Sequence, residues 1–318
     1  MTNAGGLRRL QIAPLAERSE AARPEGSGKG VSYVARTNHS RRIYQTAWYA
    51  GNTLLVLMIL VAMYSAVWEY STRRYLKGFS DAIVPESSSA EEKADAIVNW
   101  MANGPSRLQV GPYAALADRD PTETLNFASL LQICGSATNA FINLAESSGL
   151  PSRRLLLIDD RHSTKHVVAE VLVDGRWIIV DPAFRVMFRG SEGQPLTREE
   201  LTEPAVFSFA TQNVAGYNPT YTYDRTVHVR LARLGFVGPL LRSALDHLLP
   251  GWSDSTSVSL LLERDSMATL VMAIILVLLL CLVRVGLRWY GERRLGIYPV
   301  RLRHQVRRAF QALLDTTG

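Results

Sequence analysis

Two long uncharged apolar runs, residues 47–68 and 266–283, bracket a stretch in which apolar positions recur in short periodic groups. Each run is long enough to cross a hydrocarbon core of about 30 Å, so the pattern predicts two transmembrane helices. Tyr44, Trp48 and Trp68 flank the first run as interfacial aromatics would. A polar extension of 46 residues precedes it and no small-x-small cleavage site follows, so it reads as a signal anchor rather than a cleaved signal peptide.

Between the runs, residues 70–264 suffice for one compact core. Ser89-Ala90-Glu91-Glu92 fits a capping box and opens a helix through Met101, with Ala94, Ile97, Val98 and Met101 on one face. Gly104-Pro105 ends it. A second apolar helical stretch starts at Cys134, and Leu155-Leu156-Leu157-Ile158 predicts a buried strand. Two further β-branched runs, from His166 to Val173 and from Arg176 to Asp181, are joined by Asp174-Gly175, a strong hairpin signal. Residues 1–35 carry little apolar periodicity and predict a disordered tail. Past the second run, Leu302, Val306, Phe310, Leu313 and Leu314 share one face of a basic amphipathic helix. That helix suits either a membrane surface or a partner protein.

Charge assigns sides to this layout. Residues 1–46 hold eight Lys/Arg against three Asp/Glu, and residues 284–318 hold eight against two, within a chain of net charge +6. The middle is correspondingly acidic, with 19 against 24. Both basic ends are therefore expected in the cytoplasm and the central domain on the far side, periplasmic in a bacterial inner membrane. Arg73, Arg74 and Lys77, just past the first run, argue mildly the other way. Because the basic excess sits beside the membrane segments, it points to lipid headgroups and not to nucleic acid. Arginine outnumbers lysine 31 to 4, as in a protein from a GC-rich bacterial genome.

The chemistry-bearing residues are Cys134, His166 and Asp181. A helix N-terminus lowers the pKa of a thiol, an imidazole takes its proton, and a carboxylate fixes the tautomer of the imidazole. Only two cysteines are present, and Cys281 lies in the second apolar run, so no disulfide forms within the domain and Cys134 is a free thiol. The six histidines are scattered, no cysteine pair exists, and Gly-x-Ser-x-Gly is absent. No metal and no cofactor is expected.

The order and surroundings of this trio resemble the catalytic core of the transglutaminase-like superfamily, related to papain-type cysteine proteases. Cys134 and His166 are 32 residues apart, with Asp181 a further 15 on. Gly149-Leu150-Pro151-Ser152-Arg153 is similar to the family's Gly-Ile-Pro-x-Arg segment, and Asp174-Gly175-Arg176-Trp177 to its Asp-Gly-Arg-Trp hairpin. The resemblance spans residues 88–188. It implies an α+β, papain/transglutaminase-like fold: N-terminal helices packed on an antiparallel sheet, here flanked by the two transmembrane helices. It also implies catalysis through a Cys134 thioester, with His166 as base then acid and Asp181 orienting it. The family's aromatic residue soon after the histidine is replaced by Val167-Val168.

Around this trio several assignments stay open. Gln132 and Asn126 are candidates to support an oxyanion beside backbone N–H groups of the cysteine helix. His162, in the polar loop 159–165, rivals His166 as base but lacks the strand pattern that follows His166. Trp177, His162, Tyr217 and Tyr221 are candidates to line a substrate groove, although residues 217–223 equally suit an edge strand or a membrane-facing rim. Two functions follow. One is a membrane-anchored enzyme cleaving or transferring an amide or acyl bond of a peptide, amide or polysaccharide-linked substrate. The other is a catalytically silent binding protein of an exopolysaccharide or envelope complex, with assembly proteins as partners.

Overall fold

The computed structural model describes residues 29–103, 120–126, 130, 133–161, 163–231 and 237–295. The chain divides into two compact units, one of residues 51–285 and one formed by residues 1–50 with 286–318. In chain order the elements are α1 (Lys29–Ile83), α2 (Ala90–Ala102), the single-turn α3 (Pro121–Thr124), α4 (Cys134–Ser147), β1 (Ser152–Ile158), β2 (Thr164–Val173), β3 (Arg176–Asp181) and β4 (Val186–Met187). These are followed by α5 (Pro204–Thr211), β5 (Thr226–Val227), α6 (Val237–Leu248), α7 (Thr256–Glu263) and α8 (Asp265–Arg294).

The helix α1 runs well beyond the predicted 47–68 span on both sides, so the expected domain start at residue 70 falls inside it. From the last turn of the apolar run onward, Ser65, Glu69, Thr72, Leu76 and Ser80 are all buried, at spacings of three and four residues. One face therefore stays packed for several more turns, and the next proline along the chain is Pro85. At the other end, residues 29–35, expected in a disordered tail, are helical because no breaker follows Gly30. Likewise α8 continues past residue 283 to Arg294. By length and composition both helices can cross a membrane, and their apolar windows are only 11% and 6% buried, unlike the core helix of a soluble protein. In the smaller unit Gly291 allows a close approach, since a Cβ there would lie 2.5 Å from the Tyr44 hydroxyl. Of the C-terminal amphipathic helix, residues 296–318 lie outside the described residues, as does Gly104-Pro105.

Five antiparallel strands form one sheet in the order β4-β3-β2-β1-β5. The hairpin turn has Asp174 at φ 48° and Gly175 at φ 81°, the two left-handed residues that a two-residue Asp-Gly turn requires. Both faces of the sheet are covered, which is why β2 and β3 are nearly continuous apolar runs. Ala169, Val171, Ile178 and Val180 pack against α2 and α4, in a core with Leu76, Ile97, Met101, Phe141 and Leu144. The alternate residues Val168 and Ile179 join Leu155, Leu157, Phe188, Leu201 and Tyr223 in a second core. The capping box of α2 is present in both directions, and its buried residues are Ala94, Ile97, Val98 and Met101, the predicted face. This is an α+β fold with helices on an antiparallel sheet.

Candidate active site

The helix α4 begins at Cys134, and residues 135–145 behind it are all buried. Its N-cap, Ile133, makes no side-chain hydrogen bond, so no side chain of the cap occupies the first-turn N–H groups beside the thiol. The helix is pinned to the histidine strand where Thr138 Oγ1 donates to the Val167 carbonyl at 3.1 Å. On its other side a buried polar network holds it. Asn139 Nδ2 donates to the Glu263 carbonyl (2.6 Å) and carboxylate (3.0 Å), and Arg154 Nη2 donates to Glu263 at 2.8 Å. Asn143 Oδ1 accepts from Arg264 Nε at 2.5 Å. Arg264 also pairs with Glu69 of α1 at 3.3 Å, and Glu69 accepts from Ser266 Oγ at 2.6 Å. The cysteine helix is thus tied through Arg264 to Glu69 of α1 and, through Glu69, to Ser266 at the start of α8.

His166 and Asp181 sit side by side on adjacent strands, 1% and 0% exposed, with His166 Nε2 2.6 Å from Asp181 Oδ2. The second carboxylate oxygen accepts the N–H groups of Ala183 (3.1 Å) and Phe184 (3.3 Å), so the Asp181-Pro182 corner fixes the carboxylate from behind. With Nε2 on Asp181, the remaining ring nitrogen Nδ1 is buried, and none of its contacts meets ordinary hydrogen-bond geometry. Cys134 nonetheless lies close enough to the ring to favour its charged form. Burial alone would lower the imidazole pKa. The Asp181 hydrogen bond and charge, together with Cys134, outweigh it and push it up to about 9. The imidazolium is then the resting form at neutral pH, as a thiolate–imidazolium pair requires.

Aromatic rings close the remaining sides of His166. The Tyr221 ring lies parallel to the imidazole at 4.3 Å and 3°, and Phe184 and Tyr217 meet it edge-on at 5.7 and 6.4 Å. The Tyr217 hydroxyl is 3.4 Å from that of Tyr223. Burial, then the Asp181 charge, raises the Tyr217 phenol pKa well above its ordinary value, keeping it neutral.

Of the predicted site residues, the fold therefore brings Cys134, His166, Asp181, Tyr217 and Tyr221 together. Residues 217–223 form no strand. Tyr223 is 2% exposed, and Tyr217 and Tyr221 pack against the second core. Trp177 is not at the site. It pairs with Leu172, six residues along β2 from His166 and so about 20 Å away, and stacks on Arg153 at 4.0 Å. Asn126 is exposed in the turn after α3, its carbonyl accepting the Leu130 N–H at 2.8 Å. Gln132 and His162 lie outside the described residues.

The sequence reading missed the polar network behind α4, whose signal was Asn139 and Asn143 at i, i+4 in an otherwise apolar helix. It also missed a second buried cluster. His228 bridges Glu170 (2.7 Å) and Asp254 (2.8 Å), and Arg153 pairs with the same Glu170 at 2.6 Å. A lone glutamate in an apolar strand was its trace.

Residues 77–182 match the family model described as Transglutaminase-like superfamily, a segment that contains all three of Cys134, His166 and Asp181. No curated protein matches the chain. Among solved structures, that of a candidate protease from Parabacteroides distasonis is similar at 17% identity and a TM-score of 0.29. The similarity covers 46% of this chain and 30% of that one, so the chain spans under a third of that protein's length.

Proposed function

We propose that this chain, whose residues 77–182 are of the transglutaminase-like superfamily, is a membrane-anchored cysteine enzyme that cleaves an amide or acyl bond through a Cys134 thioester. The observation that carries the reading is the buried His166–Asp181 pair at 2.6 Å with Cys134, at the start of α4, acting on the same imidazole. The thiolate attacks the carbonyl carbon, and the oxygen that gains the charge is met by first-turn N–H groups of α4, which the uncapped Ile133 leaves available. His166 then gives its proton to the departing amine, the C–N bond breaks, and a thioester remains on Cys134. The neutral imidazole next takes a proton from water, whose oxygen attacks the thioester and regenerates the thiolate. An amine in place of that water would make the reaction a transamidation. Asp181 holds the ring and its charge throughout.

Two helices able to cross a membrane support anchoring at both ends of the domain. The basic flanks favour cytoplasmic termini and a periplasmic domain in a bacterial inner membrane. The substrate would then be a peptide, amide or polysaccharide-linked acyl group near the bilayer.

The test is the pH dependence of Cys134 carbamidomethylation by iodoacetamide in the full-length protein, read by peptide mass. An activated thiol titrates well below the ordinary value of about 8.5 and loses that reactivity in His166→Ala. An ordinary midpoint in both proteins would overturn the enzyme reading and leave the binding and assembly role.

A further inference from the structure

The segment from Asn213 to Tyr223 belongs to no helix or strand, yet it returns two tyrosines to one imidazole. Gly216, at φ +72°, turns the chain, and the Tyr217 N–H donates to the Val214 carbonyl at 3.1 Å. Asn218 then closes the next turn: its Oδ1 accepts from Thr220 N and Oγ1, both at 2.9 Å, and its carbonyl accepts the Tyr221 N–H at 3.0 Å. Tyr217 and Tyr221, four residues apart, end up perpendicular to one another at 5.8 Å and 88°. Tyr217 is wedged by Phe184 (4.8 Å), Phe188 (5.6 Å) and Phe207 (6.1 Å), so it is a fixed wall against which Tyr221 is held flat on His166.

Parallel rings with centroids 4.3 Å apart are in stacked contact. That contact is strengthened when one of the two is a cation, because the facing ring is electron-rich. The same stack opposes turning the imidazole over about Cβ–Cγ, which would put Cδ2 in place of Nδ1 and Cε1 in place of Nε2 and so take the Nε2 contact off Asp181.

We infer that Tyr221 is a positioning residue of this site: its ring face stabilises the His166 imidazolium and locks the ring plane with Nε2 on Asp181. Tyr217 buttresses it. The inference rests on the thioester reading above and deepens it. The titratable groups that face the imidazole are Asp181 from β3, Cys134 from α4, and the phenols of Tyr217 and Tyr221 from this segment. Phe184 adds an uncharged edge.

The test is the iodoacetamide pH profile of Cys134 in the full-length protein, in detergent micelles, for wild type, Tyr221→Phe and Tyr221→Leu. Tyr221→Phe keeps the ring and is expected to reproduce the wild-type midpoint. Tyr221→Leu loses the cation–π contact, and its midpoint is expected to rise by about 0.4–1.5 units, a roughly 2- to 30-fold loss of rate at acidic pH. A merely structural role would lower the thermal midpoint without separating phenylalanine from leucine in the pH profile. If Tyr221→Leu fails to fold, Tyr221→Met fills similar volume with a flexible chain and is read in the same way. A low wild-type midpoint that is unchanged in the leucine or methionine variant overturns this inference alone. A wild-type midpoint near 8.5 overturns it together with the thioester reading.

Discussion

Replacing Arg264 by methionine tests the link between the cysteine helix and the long apolar helices. Arg264 is 4% exposed, donates to Asn143 Oδ1 at 2.5 Å and pairs with Glu69 Oε1 at 3.3 Å, while Glu69 is itself 3% exposed. Removing one partner of a buried ion pair costs about 3–5 kcal/mol, mostly because a charge is left without compensation. Here Glu69 keeps Ser266 at 2.6 Å and the guanidinium of Arg73 at 2.6 Å, so the charge is not abandoned. Arg73 is 59% exposed, however, and contributes as a surface partner does. Allowing for that residual pairing, and adding about 1 kcal/mol for the unsatisfied Asn143 oxygen, the expected loss is about 3 kcal/mol. For a domain of this size that corresponds to about 6–12 °C in Tm. The assay is thermal unfolding of the full-length protein in detergent micelles, followed by tryptophan fluorescence. The double variant Glu69→Gln/Arg264→Met should recover at least half of the loss, since it buries no uncompensated charge. A single variant within about 2 °C of wild type, or a double variant equal to the sum of the singles, would refute the reasoning.

Asp181→Asn should keep the fold, because its carbonyl oxygen can still accept the Ala183 and Phe184 N–H groups, but present an N–H to Nε2 and force the proton onto Nδ1. At pH 6 an ordinary thiol is about 0.3% thiolate against half or more for an activated one. After the lower nucleophilicity of the acidic thiol is allowed for, Cys134 alkylation should slow roughly tenfold. The raised pKa of His166 also predicts a pH window. Its contribution to stability is complete below the ordinary imidazole value of 6.5 and is lost as the pH rises through the folded value of about 9. Measured in Cys134→Ser, which removes the thiol beside the ring but leaves the Asp181 contact that raises the imidazole, Tm should still fall as pH is raised from 6.5, and adding Asp181→Asn should flatten that fall. Ser89→Ala removes the oxygen that accepts the Glu92 N–H at 3.3 Å and should cost about 1 kcal/mol in denaturant unfolding. Glu92→Ala in that background should add little, because the two halves of a capping box act as one.

Features fixed by local chemistry were legible along the chain. The capping box at Ser89 and Glu92, the Asp174-Gly175 turn and the apolar strands each rest on a few adjacent residues, and each forms as expected. The trio could be picked out because Cys134 opens such an element, Asp181 closes one and His166 lies near the start of another. The length of α1 was not, since hydropathy registers only the uncharged run. The stripe that carries the helix on to Ile83 is made of Ser65, Glu69, Thr72 and Ser80, polar residues that look solvent-facing until their partners are known. Tyr217, Tyr221 and Tyr223 misled for the opposite reason. Their spacing suggested strand alternation, whereas the chain turns twice at Gly216 and Asn218 and brings the rings onto His166. Trp177 was placed by its motif, whereas the Asp174-Gly175 turn fixes the register that pairs it with Leu172, at the end of the hairpin far from His166.

The most direct test of the central claim is to trap the acyl-enzyme. Full-length protein is mixed with p-nitrophenyl acetate, quenched in acid and digested, and the peptide containing Cys134 is weighed. The account predicts a nitrophenolate burst of one equivalent per chain and a single acetyl group on Cys134, both abolished in His166→Ala and Cys134→Ser. No burst and no acetyl on Cys134, or labelling that persists unchanged in His166→Ala, would contradict it.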